Sequence, residues 1–336
     1  MAATGALTDF VNNGTGMSGE RSGDRNTSAV VGRFAPSPTG DLHLGNLRTA
    51  VVAWLSARSQ GGGFIVRMED LDPVTADPAA ADRQLADLTA IGLDWDGEVV
   101  FQSGRFDLYD AAVATLSARD LVYECFCSRR QVREQIAAAA AAPHGPPGAY
   151  PGTCRDLDHQ QRADRRASGR PAALRLRTDN AVFAFDELTG DRHDGSVDDF
   201  VLRRNDGTPS YNVAVVVDDE RQGVTEVVRG DDLRPSTPRQ VLLQELLGFR
   251  SPVYLHVPLV LGDDGERLAK RHGAVTLADL RAEDVSIGAV LRWIAVSLDL
   301  AAATDTVTIE QLVDRFDPTR LPNAPRTFRH SHHQWQ

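Results

Sequence analysis

Residues 30–50 constrain the fold of this chain more than any other stretch. Their apolar start predicts a strand, a loop with prolines and a glycine follows, and apolar residues then recur at helical spacing. After a run of three glycines, residues 64–66 predict the next strand. The stretch therefore predicts a strand–helix–strand unit, which is typical of α/β proteins with a parallel sheet.

The loop of this unit carries His43, Gly45 and Asn46 where the helix is predicted to begin. Free backbone N–H groups and the positive end of the helix dipole make such a place receptive to phosphate. A purely structural turn in an α/β protein has the same appearance, so the stretch alone leaves both interpretations open.

Composition limits the class of protein. The chain has 336 residues, 42% of them hydrophobic and 25% charged, which is typical of a soluble globular protein of two or three domains. Its apolar runs are too short to span a bilayer, and its first residues do not resemble a secretory signal. Three cysteines do not make a disulfide framework, so we expect a cytoplasmic protein without a membrane partner.

The net charge and the single lysine of the chain both bear on its function. The net charge of −11 argues against nonspecific coating of nucleic acid, but it allows a local basic surface that faces a specific RNA. Lys270 is the only lysine among 36 lysines and arginines. Lysine offers a compact, mobile ammonium where arginine offers a planar fork. Lys270 is thus either a chance survival or a point charge that the chemistry needs.

The pattern along the chain predicts one nucleotide-binding domain in two halves. Helices are predicted over residues 82–91, 106–119 and 237–247, and a strand over 224–232. The valine-rich run 213–217 predicts a parallel strand that is buried on both faces. The expected segments are a disordered extension (1–29), a first half (30–121), an insertion (122–205), a second half (206–262), a basic loop (263–275) and a helical C-terminal region with a tail (276–336).

The insertion holds all three cysteines. Cys125 and Cys127 flank one residue, and Cys154 lies further along. Three thiolates with a fourth ligand nearby suit a structural zinc ion, whereas three free thiols are the alternative. Candidate fourth ligands are His144, Tyr150 and His159. An arginine-rich run over residues 162–177 fits either a solvated face or an RNA-facing surface.

Several motifs, in one order, resemble those of class I aminoacyl-tRNA synthetases. GRFAPSPTGDLHLGN is similar to the HIGH-motif region of the glutamyl branch, and RMEDLDP, GLDWDG, VVRGDDLRPSTPRQ and RLAKR follow. The resemblance runs from Val31 to Gly273. It implies an α/β fold: a Rossmann-type parallel-sheet catalytic domain, split by a zinc-containing insertion and followed by a short helical C-terminal region.

The resemblance implies that a carboxylate attacks the α-phosphate of ATP, which enters with Mg²⁺, and expels pyrophosphate. Asn46 stands where the motif has its second histidine, and Lys270 stands at the second, catalytic lysine of the KMSKS-like loop. Arg267 and Ala269 depart from that loop's pattern. The implied catalytic and ATP-binding residues are His43, Gly45, Asn46 and Lys270.

The implied substrate is L-glutamate. An arginine fork matches a carboxylate bidentately, and glutamine would leave a charge unpaired. Arg33 and Arg229 would face the carboxylates and Glu69 the α-ammonium, although a surface salt bridge is the alternative for either arginine. The implied glutamate contacts are Arg33, Ala35, Ser37, Glu69, Tyr211 and Arg229.

Two features resemble one subfamily, the glutamyl-Q tRNA(Asp) synthetases. The order Cys-x-Cys then Tyr-x-x-x-Cys selects Tyr150 as the fourth zinc ligand, beside Cys125, Cys127 and Cys154. The segment after Gly273 is too short for the anticodon-binding domains of ordinary glutamyl-tRNA synthetases. The resemblance implies a monomer that forms glutamyl-adenylate without tRNA. It would then esterify queuosine at the wobble position of tRNA(Asp), whose anticodon stem-loop it would hold.

Two other functions stay open at this point. One is a truncated synthetase that charges a tRNA 3′ end. The other is a non-catalytic paralogue that only binds tRNA, for which the substitutions at Asn46, Arg267 and Ala269 are the support.

Overall fold

The computed structural model describes residues 29–140, 150–268, 272 and 275–329. The predicted extension, apart from its last residue, lies outside the described residues. So do His144 and Lys270.

Five parallel strands form the central sheet, in the order β10–β9–β1–β2–β3. They are β1 (Val31–Phe34), β2 (Gly63–Met68), β3 (Val100–Phe101), β9 (Glu226–Gly230) and β10 (Val253–Val257). After β1, the chain adds β2 and β3 on one side of this strand. It later adds β9 and β10 on the opposite side. The direction therefore switches between β1 and β9, and the carboxyl ends of strands at such a point open a crevice for ligands.

The predicted strand–helix–strand unit and parallel sheet are confirmed. The first helix, α1, runs over Leu44–Ser59 and is buried on nearly every side, between the sheet and the C-terminal helices. The other helices are α2 (Pro78–Ala90), α3 (Phe106–Ser117), α4 (Arg129–Ala140), α5 (His159–Ala167), α6 (Tyr211–Arg221), α7 (Thr237–Leu247), α8 (Leu277–Ala282), α9 (Ile287–Ser297) and α10 (Ile309–Val313).

The strand predicted for the valine-rich run 213–217 is wrong. These residues lie inside α6, and all of them are buried. They pack with α3 and α7 in a second apolar cluster, which lies apart from the cluster around α1. A short apolar run that is buried on all sides looks the same in a strand and in a helix, and tertiary packing here overrides the β preference of valine.

Residues 122–205 contain two antiparallel pieces. One is a sheet of β4 (Val122–Cys125), β5 (Ala173–Leu176) and β8 (Val201–Arg203), in that order. The other is a hairpin of β6 (Val182–Asp186) and β7 (Arg192–Ser196). The hairpin docks on the edge of the central sheet, because Leu188 N donates to Tyr254 O at 2.8 Å.

The arginine-rich run makes several contacts inside this segment. Arg166 pairs with Glu124 at 2.7 Å, and Arg175 Nη1 donates to Asp199 O at 2.6 Å. These contacts favour a structural use of part of the run.

The C-terminal region packs on α1 through α8, α9 and α10. Its last described strand, β12 (Arg326–Thr327), pairs in parallel with β11 (Val260–Leu261). Among the described residues, no helix is both long enough and apolar enough to cross a membrane.

Candidate functional site

A cavity of about 630 Å³ opens at the carboxyl ends of β1 and β9, where the sheet order switches. Both halves of the sheet contribute to its wall. The cavity brings together every predicted ATP and glutamate contact that the structure describes, namely Arg33, Ala35, Ser37, His43, Gly45, Asn46, Glu69, Tyr211 and Arg229. Residues that are remote in sequence thus share one site.

His43 and Asn46 begin α1 as a reciprocal capping box. Asn46 N donates to His43 Nδ1 at 3.2 Å, and His43 N donates to Asn46 Oδ1 at 3.2 Å. Because Nδ1 accepts a hydrogen bond, the imidazole proton sits on Nε2. Asn46 therefore has a structural role in this chain, and its side-chain NH₂ group has no partner within the described part of the chain.

Burial and the nearby Arg267 charge lower the pKa of His43 to about 4. His43 is thus a neutral imidazole at pH 7. Arg267 itself pairs with Asp232, with Nη1 2.6 Å from Oδ2, and lines the cavity. The first part of the basic loop therefore contributes positive charge to the site.

Gly45 has a packing reason to be glycine. A Cβ atom at this position would lie 3.0 Å from His43 Cε1 and 3.5 Å from Val260 Cβ. A side chain would therefore press on the His43 ring and disturb the cap.

A buried ion network holds Arg33 in the cavity wall. Arg33 is only 3% exposed; its Nη1 donates to Val228 O at 2.9 Å, and its Nε lies 3.6 Å from Asp219 Oδ1. Arg67 Nη2 lies 2.8 Å from the same Asp219 oxygen and 3.6 Å from Glu69 Oε1. Asp219 therefore sits between two arginines and fixes both.

Burial raises the pKa of Glu69 to about 7, against the opposing charges of Arg67 and Arg33. This carboxyl group therefore changes its charge close to neutral pH. A cation that enters the cavity would favour its ionised form.

Arg229 is a buried cation with neutral partners. It is 4% exposed and lines the cavity. Its guanidinium donates to His256 Nε2 at 3.2 Å, Gln240 Oε1 at 2.8 Å and Thr237 Oγ1 at 2.7 Å. In the part of the chain that the structure describes, no carboxylate pairs with it. A buried charge is stable only when it is compensated, so this geometry suits an anionic ligand.

The cysteine cluster lies in the 122–205 segment, at the end of β4. The sulfur atoms of Cys125, Cys127 and Cys154 all lie within 4.8 Å of one another. Tyr150 Oη is 3.3 Å from Cys125 Sγ and 3.8 Å from Cys127 Sγ. A tetrahedral zinc with bonds of about 2.3 Å would separate its sulfur ligands by roughly 3.8 Å, so these four residues fit the ion.

Arg175 places a positive charge beside the cysteine cluster. Its guanidinium carbon lies 3.7 Å from the centre of the Tyr150 ring. Of the other predicted fourth ligands, His159 is exposed at the start of α5, and among the described residues the candidate metal cluster does not contain it.

Sequence reasoning missed the residues behind the two site arginines. Arg67 and Asp219 support Arg33, and His256 and Thr237 support Arg229. Asp219 lies two residues beyond the run that was predicted to be a strand. Because that run is helical, the sequence pattern gave the wrong position for Asp219. The sequence did contain one sign that Arg67 belongs to the site, because this residue lies inside the matched motif RMEDLDP.

Comparison with known proteins places this geometry in a family. The model of the tRNA synthetases class I (E and Q), catalytic domain, matches residues 29–335. A glutamyl-Q tRNA(Asp) synthetase of Nocardia farcinica is 58% identical over 89% of this chain and 93% of its own length. A second, of Symbiobacterium thermophilum, is 46% identical over 88% and 95%. The crystal structure of a glutamate-tRNA synthetase from Elizabethkingia anophelis has a TM-score of 0.78 at 26% identity, and covers 91% of this chain and 69% of its own.

Proposed function

The chain belongs to the glutamyl-Q tRNA(Asp) synthetases, within the class I tRNA synthetases for Glu and Gln, and from this premise we propose a two-step reaction. The enzyme is a ligase of a class that uses ATP. In the first step it activates L-glutamate to glutamyl-adenylate without tRNA. In the second it transfers the glutamyl group to queuosine at the wobble position of tRNA(Asp), so that an ester forms and AMP leaves. The enzyme holds the anticodon stem-loop of that tRNA.

One observation carries the choice of amino acid. Arg229 is a buried cation whose described partners are all neutral. The γ-carboxylate of glutamate supplies the missing negative charge, whereas the amide of glutamine would leave the guanidinium uncompensated. Arg33 and Tyr211 line the same cavity and complete the carboxylate contacts, and Ala35 and Ser37 line it too.

The α-ammonium of glutamate pairs with Glu69 in this arrangement. The cavity wall places this carboxyl group next to the Arg33 and Arg67 network. Its orientation is therefore fixed before the substrate arrives.

ATP occupies the part of the cavity at the start of α1. Neutral His43 donates from Nε2 to a phosphate oxygen, and the side-chain NH₂ group of Asn46 offers a second donor. Small Gly45 leaves room for the nucleotide. We assign the charge on pyrophosphate to Lys270 from the motif resemblance, since that residue lies outside the described part of the chain. Mg²⁺ accompanies ATP and offsets phosphate charge.

Family membership also supports a proposed division of the chain into domains. Residues 30–121 and 206–262 form the two halves of the catalytic domain, 122–205 is the zinc-containing insertion, 263–275 is the KMSKS-like loop, and 276–336 is the C-terminal region. The protein acts as a cytoplasmic monomer.

Glutamate binding is expected to weaken as pH falls. The pKa of Glu69 is about 7 in the folded protein, raised by burial from 4.5. Below pH 7 the carboxyl group is protonated and cannot pair with an ammonium, so the KM for glutamate is expected to rise roughly tenfold from about pH 8 to about pH 6. The measurement is the pH profile of KM in pyrophosphate exchange.

The matched variant is Glu69→Gln, whose profile over the same range is expected to be flat at a raised KM. A flat profile in the unaltered enzyme would show that Glu69 does not titrate against the substrate.

Zinc is expected at about one equivalent per chain, held by Cys125, Cys127, Tyr150 and Cys154. Cys125→Ser removes one thiolate and is expected to lose the metal, because structural zinc sites need all four ligands. His159→Ala is the control and is expected to keep the zinc. Elemental analysis measures both. A natively folded protein without metal would refute the site.

The direct test of activation is glutamate-dependent exchange between ATP and pyrophosphate in the absence of RNA. The unaltered enzyme is expected to catalyse exchange with glutamate and far more weakly with glutamine. No exchange with any amino acid would leave a tRNA-binding protein without activation chemistry.

A further inference from the structure

Arg229 is the last of three buried side chains that are hydrogen-bonded in a row. Glu187 Oε1 is 2.8 Å from His256 Nδ1, and His256 Nε2 is 3.2 Å from Arg229 Nε. All three residues are buried. The row joins a carboxylate to the proposed substrate arginine through one imidazole.

The partners fix the tautomer of His256. An arginine can only donate, so His256 Nε2 must be the acceptor. The imidazole proton is then on Nδ1, and Nδ1 donates it to Glu187. Hydrogen bonds from the His256 ring and from its backbone N–H, at 2.8 and 3.3 Å, both end on the Glu187 carboxylate. Glu187 therefore keeps a lone pair of His256 pointed at Arg229.

The remaining acceptors lock the guanidinium in one orientation. Thr237 Oγ1 accepts from Nη2 at 2.7 Å, and Gln240 Oε1 accepts from Nη1 at 2.8 Å. The longest contact is the one to Tyr211 Oη, at 3.4 Å from Nη1. Tyr211 also lines the cavity, so we take the edge of the guanidinium that carries Nη1 as the one nearest to it. An oriented edge of this kind suits the two oxygens of a carboxylate.

Glu187 reaches this position from the hairpin of residues 182–196. It immediately follows β6, and the next residue, Leu188, bonds to the backbone of Tyr254 on β10. Arg234 Nε also donates to Glu187, at 3.2 Å. A segment outside the central sheet thus places a charge behind the substrate pocket.

We propose that Glu187 and His256 are positioning residues for Arg229, which make its outer edge selective for the γ-carboxylate of glutamate. This inference rests on the proposed function, since it assumes that Arg229 binds that carboxylate. Glu187 acts through His256, and neither residue touches the substrate.

The test compares the kinetics of Glu187→Gln and His256→Leu in pyrophosphate exchange without RNA. His256→Leu removes the acceptor for Arg229 Nε, and Glu187→Gln puts an amide NH₂ group where one carboxylate oxygen accepts from the ring or the backbone N–H of His256. Each loss is worth roughly a ten- to hundredfold rise in the KM for glutamate. The KM for ATP is expected to stay within about twofold, because the ATP contacts are elsewhere in the cavity. His256→Gln keeps an acceptor and is expected to raise the KM for glutamate less than His256→Leu does.

The row also predicts non-additivity. If Glu187 acts only through His256, the double variant Glu187→Gln/His256→Leu is expected to have nearly the KM of His256→Leu alone. The control is Glu226→Gln, which neutralises another buried glutamate at the opposite end of β9. Its KM for glutamate is expected to be unchanged.

Two results would overturn the inference. One is a KM for glutamate within about threefold of the unaltered enzyme in both Glu187→Gln and His256→Leu. The other is an equal rise in the KM values for ATP and glutamate, which would mark a general structural role. If His256→Leu does not fold, the near-isosteric Glu187→Gln decides alone. Absence of exchange in the unaltered enzyme would instead contradict the proposed function itself.

Discussion

Replacing Arg229 with alanine is expected to raise the KM for glutamate roughly 10²- to 10³-fold, since a buried charged partner of the substrate is lost. Arg229→Lys is expected to restore little of this affinity. The structure uses Arg229 as a planar fork with several fixed acceptors, and a lysine ammonium cannot satisfy them together. Steady-state pyrophosphate exchange over a range of glutamate concentrations measures both variants.

The control for charge alone is Arg192→Ala. Arg192 pairs with Asp186 on the exposed surface of the hairpin, and its loss is expected to leave the KM for glutamate unchanged. An Arg229→Ala enzyme whose KM rises less than about tenfold would mean that the γ-carboxylate binds elsewhere. The buried charge of Arg229 would then no longer support glutamate over glutamine as the substrate.

Replacing Asp219 with asparagine is expected to cost roughly 3–5 kcal/mol of the free energy of unfolding, because two buried arginines lose the anion between them. Arg33 and Arg67 are almost completely buried, and Asp219 lies 3.6 and 2.8 Å from their nitrogens. Denaturant unfolding measures the loss. The KM for glutamate is expected to rise as well, since Arg33 is no longer held.

Asp94→Asn is the matched control for this change. Asp94 pairs with Arg58 at the surface, where an ion pair is worth about 0–1 kcal/mol. A loss of less than about 1 kcal/mol in Asp219→Asn would show that the network relaxes without its central carboxylate.

The sequence predicted which residues share the cavity better than it predicted the elements around them. Motif order identified His43, Glu69 and Arg229 as neighbours, and the cavity brings them together. Such motifs are recognisable in a sequence because each one is a contiguous stretch of chain that contains its own strand end and turn. The cysteine cluster was predictable for the same reason: a short spacing of soft ligands indicates a candidate metal site without knowledge of the fold, and the three sulfur atoms do lie together.

The supporting residues could not be predicted, because each is defined by contacts with remote parts of the chain. His256 looks like any histidine in a buried strand, and Glu187 like any charge in a hairpin turn. Only the fold shows that one presents an acceptor to Arg229 and that the other fixes its tautomer. The valine-rich run failed for a related reason, since burial on all sides erases the periodicity that separates a helix from a strand.

The substitution at Asn46 shows how a departure from a motif is resolved by geometry. In the sequence, Asn46 replaces the second histidine of the motif, and this substitution supports a non-catalytic paralogue. In the structure it closes a capping box with His43 and fixes the proton of that imidazole on Nε2. The asparagine thus supports the histidine that we propose as a phosphate donor.

We propose that the enzyme transfers glutamate to queuosine of tRNA(Asp). The most direct measurement is the incorporation of radiolabelled glutamate, with ATP, into tRNA(Asp) that carries queuosine and into the same tRNA without the modification. We expect labelling of the modified tRNA only, at the anticodon stem-loop, with a product that periodate treatment of the tRNA beforehand prevents. Equal labelling of both tRNAs, at the 3′ end, would contradict the account and identify a truncated synthetase.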